Sequence, residues 1–422
     1  MKKPQRIIGL ELGSRQFTAA VGESQEQQPL AIRAIESVPS QGFEKEGLTD
    51  PIECSDAVAR LLRQLERSIS DKITRAAVAF PGSQLKSFNA TASVPVTDPA
   101  TGISRQDVER VISTCRTLSL DYDRQVLHAF ERGFTVDGQS GIRNPVGLSG
   151  KKLSVDLHLV TAQSSTAQNL TKMLNRAGLE VDGFVLTGLG VSEAVLTDLD
   201  RDLGVTLLRI GEFQTEVVLF DDGGAKETFL LPGGTEDLVE NLSRSFKLPR
   251  VSAEHLLEQV RTLEEPAAVA PDGSPLPSEG RAEWAAVPLR AGVGASVRTF
   301  PQGQVVQLVR GRAKELLSRV QRRLSASSTF LDCASGIVVV SSLARLEGFL
   351  EMAESMFNMP VRMGTVKGME LPPGVTPRTL DIPAVGLSRY AFRKRAVPGT
   401  SWNFPPWLKP LEKFQRLLQE YF

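Results

Sequence analysis

Two glycine-bearing stretches are the places in this chain where residue type and spacing could do chemistry. The first, IGLELGSRQFTAAVGE (8–23), sets an apolar strand, Ile7 to Leu12, before a Gly13-Ser14 turn and a second strand, Phe17 to Gly22. The second, LLRIGEFQTEVVLF (207–220), repeats that order around Gly211, with its second strand expected from Thr215 to Phe220. Turns of this shape can cradle phosphate, because glycine lets backbone N–H groups approach an anion that a Cβ would hold off. Yet the second stretch carries Arg209, Glu212 and Phe213 where such a turn wants a carboxylate and bare glycines. An acid there repels a triphosphate, and a phenyl ring crowds it.

Other chemistries find less support. Cys54, Cys115 and Cys333 have no paired spacing, which fits neither a disulfide framework nor a zinc cluster and points to a reducing compartment. His128, His158 and His255 are equally scattered, and core or surface histidine is the plain reading. With 49 basic and 49 acidic side chains the chain has no general field to draw nucleic acid, so none is expected as a partner. The N-terminal MKKPQRIIGLELG runs straight into a strand without the apolar stretch of a secretory signal. No window approaches eighteen continuous apolar residues, so a cytoplasmic protein with at most a peripheral anchor is expected.

The elements that must position the two turns are legible from periodicity. Ala57, Val58, Leu61, Leu62 and Leu65 recur at helical spacing within 52–68, and the buried-type strand RAAVAF follows. SRQDVERVISTCRTL (104–118) opens on a Ser N-cap. The Gly-rich run GFTVDGQSGIRNPVGLSGKKLSVDLHLVTA (133–162) has DG and NP turn signals between strands. Together, 81–160 is expected to be a small inserted α+β unit. A helix then ends at Gly178 as its C′ glycine, and another is expected from Val191 to Asp198. Residues 264–303 suggest loops with short strands, followed by an amphipathic helix and a buried strand. After Arg389 the chain is expected to become a tail. The echo between the two hairpins suggests two related α/β halves with ligand chemistry at strand ends.

These stretches carry a resemblance. IGLELGS, PGSQLKSFN, VDGQSGIRNPVGLSGKKLSVDLHLVTA, NLTKMLNRAGLEV, LPGGTEDLVENL, FNMPVRMG and PAVGL make the chain similar, over nearly its full length, to the FtsA family of bacterial actin-like cell-division proteins. The resemblance implies an α/β, actin-like (ribonuclease H-like) fold of two lobes. Its expected parts are lobe 1 (1–80 and 161–204), an SHS2-type inserted subdomain (81–160), lobe 2 (205–235 and 330–390), a subdomain at 236–329, a linker at 391–409, and a C-terminal helix at 410–422. It also implies FtsZ and other divisome proteins as partners, self-polymerisation, and attachment to inner-leaflet lipids at the division site.

Members of the actin superfamily hold Mg-ATP between two glycine hairpins, so each position can be compared. In the first hairpin Gly9 and Gly13 stand and Ser14 fits the hydroxyl position, while Glu11 replaces the usual Asp and Gln16 the expected basic residue. In the second, Arg209-Ile210-Gly211-Glu212-Phe213-Gln214-Thr215-Glu216 stands where the superfamily has Asp-x-Gly-Gly-Gly-Thr-Thr-Asp. Thr187-Gly188 aligns with the catalytic-water Glu, Ser341-Ser342 with the Gly-Gly beside adenosine, and Leu257 with the base-contacting Lys. Gly233 and Gly234 complete the degenerate cleft. The expectation is therefore a non-hydrolysing relative without a cofactor, ATP and Mg being bound only if Gly211 and Thr215 suffice. Glu11 and Arg209, at matched positions, are expected either to pair across the cleft or to be solvated surface charges. The alternatives are an active ATP-binding FtsA and a type IV pilus assembly platform protein; a sugar kinase or chaperone lacks its catalytic acids here.

The chain closes on SWNFPPWLKPLEKFQRLLQEYF (401–422). From Pro410, Leu411, Phe414, Leu417, Leu418, Tyr421 and Phe422 share one helical face, with Trp407 and Leu408 just before it. Thirteen helical residues span about 20 Å, too short to cross a bilayer and suited to lying in its interface. Lys409, Lys413, Arg416 and the upstream Arg393-Lys394-Arg395 could meet anionic lipid.

Overall fold

The first glycine stretch folds as expected into an antiparallel pair, Gln5–Leu12 (β1) and Gln16–Ser24 (β2), in unbroken register from Gln5↔Ser24 to Leu12↔Phe17. The computed structural model describes residues 5–24, 30–45, 47–118, 120–264, 284–288, 297–372 and 374–396. Ala31–Pro39 (β3) continues the meander, and Pro51–Ile69 (α1) crosses back. Asp50 starts that helix by accepting from Ile52 N at 2.8 Å and Glu53 N at 3.0 Å, with proline at the first position. Its buried face is the one the spacing predicts: Ala57, Val58, Leu61, Leu62 and Leu65. Arg75–Phe80 (β4) then lies parallel to β1.

The inserted unit follows: Leu85–Pro95 (β5), Arg105–Leu118 (α2), Arg124–Val136 (β6), Gln139–Ile142 (β7) and Lys152–Gln163 (β8). Its sheet runs β5-β8-β6-β7. The DG signal makes the β6–β7 turn, with Asp137 and Gly138 both at positive φ as a tight hairpin requires. Ser104 and Asp107 cap α2 reciprocally: Asp107 Oδ2 accepts from Ser104 N at 3.0 Å, and Ser104 Oγ accepts from Asp107 N at 3.2 Å. Val111 and Cys115 of that helix close the insert core against Leu153, Val155 and Leu157.

Ser164–Arg176 (α3) ends as predicted with Gly178 at φ 86°, and Glu180–Leu186 (β9) completes the first sheet in the order β9-β4-β1-β2-β3. The next helix, Thr187–Val195 (α4), begins four residues before the expected Val191 and ends before Asp198. The second glycine stretch forms Val205–Ile210 (β10) and Gln214–Asp221 (β11), so the second strand is one residue longer at each end than the sequence suggests. Gly224–Pro232 (β12), Thr235–Phe246 (α5), Arg250–Gln259 (α6) and Gln302–Leu324 (α7) follow. Short strands do occur within 264–303, where Trp284–Pro288 pairs with Val297–Pro301. Ile337–Val340 (β13), Phe349–Phe357 (α8), Val361–Met363 (β14) and Ile382–Ala396 (α9) end the described chain. Strands β11-β10-β13-β14 repeat the order and sense of β2-β1-β4-β9, which is the two-halves echo in topological form.

Contacts divide the chain into two compact units. One comprises residues up to Leu199, Gly224–Leu230 and everything from Val366 onward; the other comprises Asp200–Gly223 and Leu231–Thr365. This corrects the expected placement of 366–390 in lobe 2. The physical reason is α9, which packs on β1 and α4 through glycines. A methyl on Gly386 would run into the Gly190 carbonyl of α4, and one on Gly9 would lie 2.6 Å from Ser388 N. Ala384 and Val385 of α9 share a core with Ala20 and Ile32. The expected tail after Arg389 and linker from 391 are corrected for the same reason, since α9 continues to Ala396.

Candidate functional site

In the first unit, Gly13 N donates to Gln16 O at 3.2 Å, closing the β1–β2 turn. A side chain at Gly13 would place its Cβ 2.7 Å from that carbonyl oxygen, so the glycine is needed by the turn itself. Gln16 turns onto its own strand, donating from Nε2 to Thr18 Oγ1 at 2.8 Å. Glu11 stands opposite Thr18 in the register, and Glu11, Gly13, Ser14 and Gln16 are all partly exposed. Gly9, named among the candidate ligand positions, has a packing task instead, because it admits α9 against β1.

In the second unit the turn has the same plan, with Gly211 N donating to Gln214 O at 2.9 Å. What surrounds it is different. Its three carbonyls each accept from the segment that opens α5: Phe213 O from Gly233 N, Gly211 O from Thr235 N, and Glu212 O from Glu236 N, all at 2.9 Å. Thr215 Oγ1 donates to Gly233 O at 2.8 Å. These three N–H groups and the Thr215 hydroxyl are committed to the protein's own backbone. Gly233 (φ 101°) and Gly234 make the approach feasible, since a Cβ on Gly234 would sit 2.6 Å from Glu212 O. The negative charge beside the helix start is also the protein's own, from Glu236 and Asp237 in the first turn of α5.

Arg209 is cross-strand partner to Glu216, and its Nη1 donates to Glu216 Oε1 at 2.9 Å, with side-chain exposures of 15% and 2%. The guanidinium thus has a carboxylate on its own hairpin, and it is not a freely solvated charge. Glu11 belongs to the first unit and Arg209 to the second. The remaining cleft positions are ordinary parts of their elements. Thr187-Gly188 open α4 and are buried; Ser341, 2% exposed, accepts from Leu343 N at 3.2 Å to cap a short turn at Ser342; Leu257 is a half-buried residue of α6. Among the described residues no group of three or more His, Cys, Asp or Glu could hold a metal ion.

Several residues important to these surroundings gave no sequence signal. Arg250, at the start of α6, reaches Glu212, Glu236 and Glu254. His128 Nε2 accepts from Leu186 N at 3.0 Å, tying the inserted unit to the start of α4, and its ring meets Tyr390 of α9 edge-on and Phe130 in a stack. His158 Nε2 accepts from Thr228 N at 2.9 Å while its Nδ1 faces Asn89 Oδ1 at 2.6 Å. Each pairs residues far apart in the chain, so spacing could not reveal it. The three cysteines are buried thiols outside any disulfide.

The membrane-face positions Trp407, Leu408, Leu411, Phe414, Leu417, Leu418, Tyr421 and Phe422 lie outside the described residues, as do the rest of 397–422. Of the upstream basic run, Arg393 bridges Glu193 at 3.3 Å and Asp198 at 2.7 Å within the first unit, so its charge is spent on α9's own anchorage. Among the described residues no helix is long and apolar enough to cross a membrane.

Comparison with known proteins matches this architecture. The model of the SHS2 domain inserted in FtsA matches residues 82–161. Cell division protein FtsA of Pseudomonas aeruginosa is 28% identical over 99% of this chain and 98% of its own length. Cell division protein FtsA of Escherichia coli (strain K12) is 29% identical over 85% of this chain and 83% of its own. Among solved structures, the PilM-PilN type IV pilus biogenesis complex superposes with a TM-score of 0.60 at 15% identity, covering 93% of this chain and 98% of that one. MreB5 of Spiroplasma citri bound to ADP gives 0.52 at 9% identity, covering 93% and 97%. These two likenesses show the actin-like fold alone.

Proposed function

Because this chain is a relative of the cell-division protein FtsA over nearly its whole length, we propose that it is a division scaffold that tethers FtsZ filaments to the cytoplasmic face of the membrane without hydrolysing ATP. The observation that carries the non-hydrolysing part is the second-unit turn, where Gly233, Thr235 and Glu236 donate to Phe213, Gly211 and Glu212. With the turn fixed by those bonds, a phosphate on its own amides would meet the Glu212 carboxylate, which is unfavourable. The tether rests on the apolar face of 410–422, whose length and composition suit the membrane interface. Homo-polymerisation and further divisome contacts belong to the same proposal.

Co-sedimentation with FtsZ and with liposomes, each with and without Mg-ATP, tests it. The expected outcome is FtsZ carried to the liposome pellet equally in both conditions, with no heat of ATP binding by calorimetry. FtsZ left in the supernatant, or recruitment that requires ATP, overturns it. One second reading has an observation in its favour: an ATP-binding relative, for which the first hairpin keeps Gly13 and Ser14. A saturable calorimetric signal for Mg-ATP would select that reading.

A further inference from the structure

We propose that Arg250 is a latch that holds the second-unit turn shut in the absence of any ligand; the proposal rests on the reading of that turn as a non-nucleotide element. Arg250 opens α6, and its guanidinium is shared among three carboxylates from three elements. Nη2 lies 3.4 Å from Glu212 Oε1 of the turn and 2.9 Å from Glu236 Oε2 of α5, while Nε lies 2.9 Å from Glu254 Oε1 one turn along α6. Glu212 and Glu236 are the more enclosed pair, with side chains 17% and 14% exposed, whereas Arg250 is 52% exposed.

Two largely enclosed carboxylates on adjoining elements repel each other. They are brought together here by the backbone bonds from Thr235 N to Gly211 O and from Glu236 N to Glu212 O. Those bonds and the repulsion oppose one another, and the Arg250 cation resolves the conflict. Its planar fork presents donors to several acceptors at once, which a lysine ammonium at the end of a flexible stem does not reproduce. In a phosphate-binding turn the ordering charge comes from outside, as an anion on free amides. In this protein the amides that open α5 are met by the turn's carbonyls, the anion at the turn is Glu212, and Arg250 lies against it. The turn, α5 and α6 therefore form one body whether or not nucleotide is present.

Hydrogen exchange on the full chain, followed in peptides covering the turn (209–216) and the start of α5 (231–238), tests this with Arg250→Ala and Arg250→Lys. Because the cation is half exposed, its loss should speed exchange in those peptides about three- to fivefold, while peptides covering Val338 and Leu207 in the sheet stay at the wild-type rate. Arg250→Lys should fall between. In the wild type, raising salt to about 1 M, where charges are screened beyond about 3 Å, should accelerate the same peptides while those covering Val338 and Leu207 stay unchanged. That arm needs no variant and stands if Arg250→Ala fails to fold. Wild-type rates in Arg250→Ala, or no salt effect on the two peptides, overturn the latch. If Mg-ATP slows exchange in the wild type, the non-nucleotide reading fails, and the latch as a substitute for ligand fails with it. Exchange indifferent to both ATP and Arg250 overturns the latch alone.

Discussion

The residues that close the second turn are polar or charged, and each is spent on the protein itself: Glu212 on Arg250, Thr215 on Gly233, Arg209 on Glu216. Two enclosed histidines follow the same logic. His158, 2% exposed, accepts the Thr228 N–H, so it is held in its neutral form. Burial, with the Arg132 charge adding to it, lowers its pKa from 6.5 to about 4. His128, with an equally committed Nε2, is lowered to about 3 by burial and then by Lys394. Below about pH 6.5 the unfolded chain takes up protons that the native state refuses, so the stability held by these groups is complete above that pH and is lost as pH falls towards 4. We expect the urea midpoint to drop between pH 7.5 and 5.0. His158→Gln should make that drop shallower, by at most about 1.4 kcal/mol per pH unit, the equivalent of one proton. A variant with the wild-type slope would remove His158 from this role.

At the scale of elements, the decisive contact is α9 against α4 and β1. Helices can approach this closely only where side chains are missing, and Gly190 and Gly386 supply that gap at the crossing while Gly9 supplies it on the strand. Gly386→Ala should destabilise by about 1–3 kcal/mol, the usual cost of overpacking a tight interior. Gly311→Ala in α7 is the control, since a methyl there meets nothing within 4 Å. That change should be neutral or stabilising by up to about 1 kcal/mol through helix propensity. Denaturant midpoints for the two variants check the contrast, and equal midpoints would count against the glycine crossing as the seat of α9.

For the whole molecule, α9 fixes where the C-terminal segment starts. The chain from 397 to 409 is thirteen residues, which at full extension reach at most about 45 Å. A membrane-bound 410–422 would therefore keep the first unit close to the bilayer. With equal numbers of basic and acidic side chains, long-range attraction to anionic lipid is small, and apolar burial would have to supply any membrane binding. Replacing Trp407 and Phe414 together by Glu should move the protein from the liposome pellet to the supernatant with its unfolding midpoint unchanged. Unchanged pelleting would remove the tail as the anchor.

The sequence by itself determined the local elements and where the second turn departs from a glycine-rich pattern. Helical spacing gave α1 its buried face, the Ser104 cap and the DG turn placed the inserted unit, and Glu212 and Phe213 marked the second turn as lacking the usual glycines. Such signals lie within a few residues of one another, where backbone geometry and side-chain period act directly. Tertiary structure alone decided how the second turn is closed and where α9 belongs. The carbonyl-to-amide closure joins Gly211 to Thr235, Arg250 gathers carboxylates from three elements, and α9 returns to β1 across more than 370 residues. Its amphipathic pattern is weak because it is packed on more than one side, so the sequence showed a tail where the fold needed a buried helix.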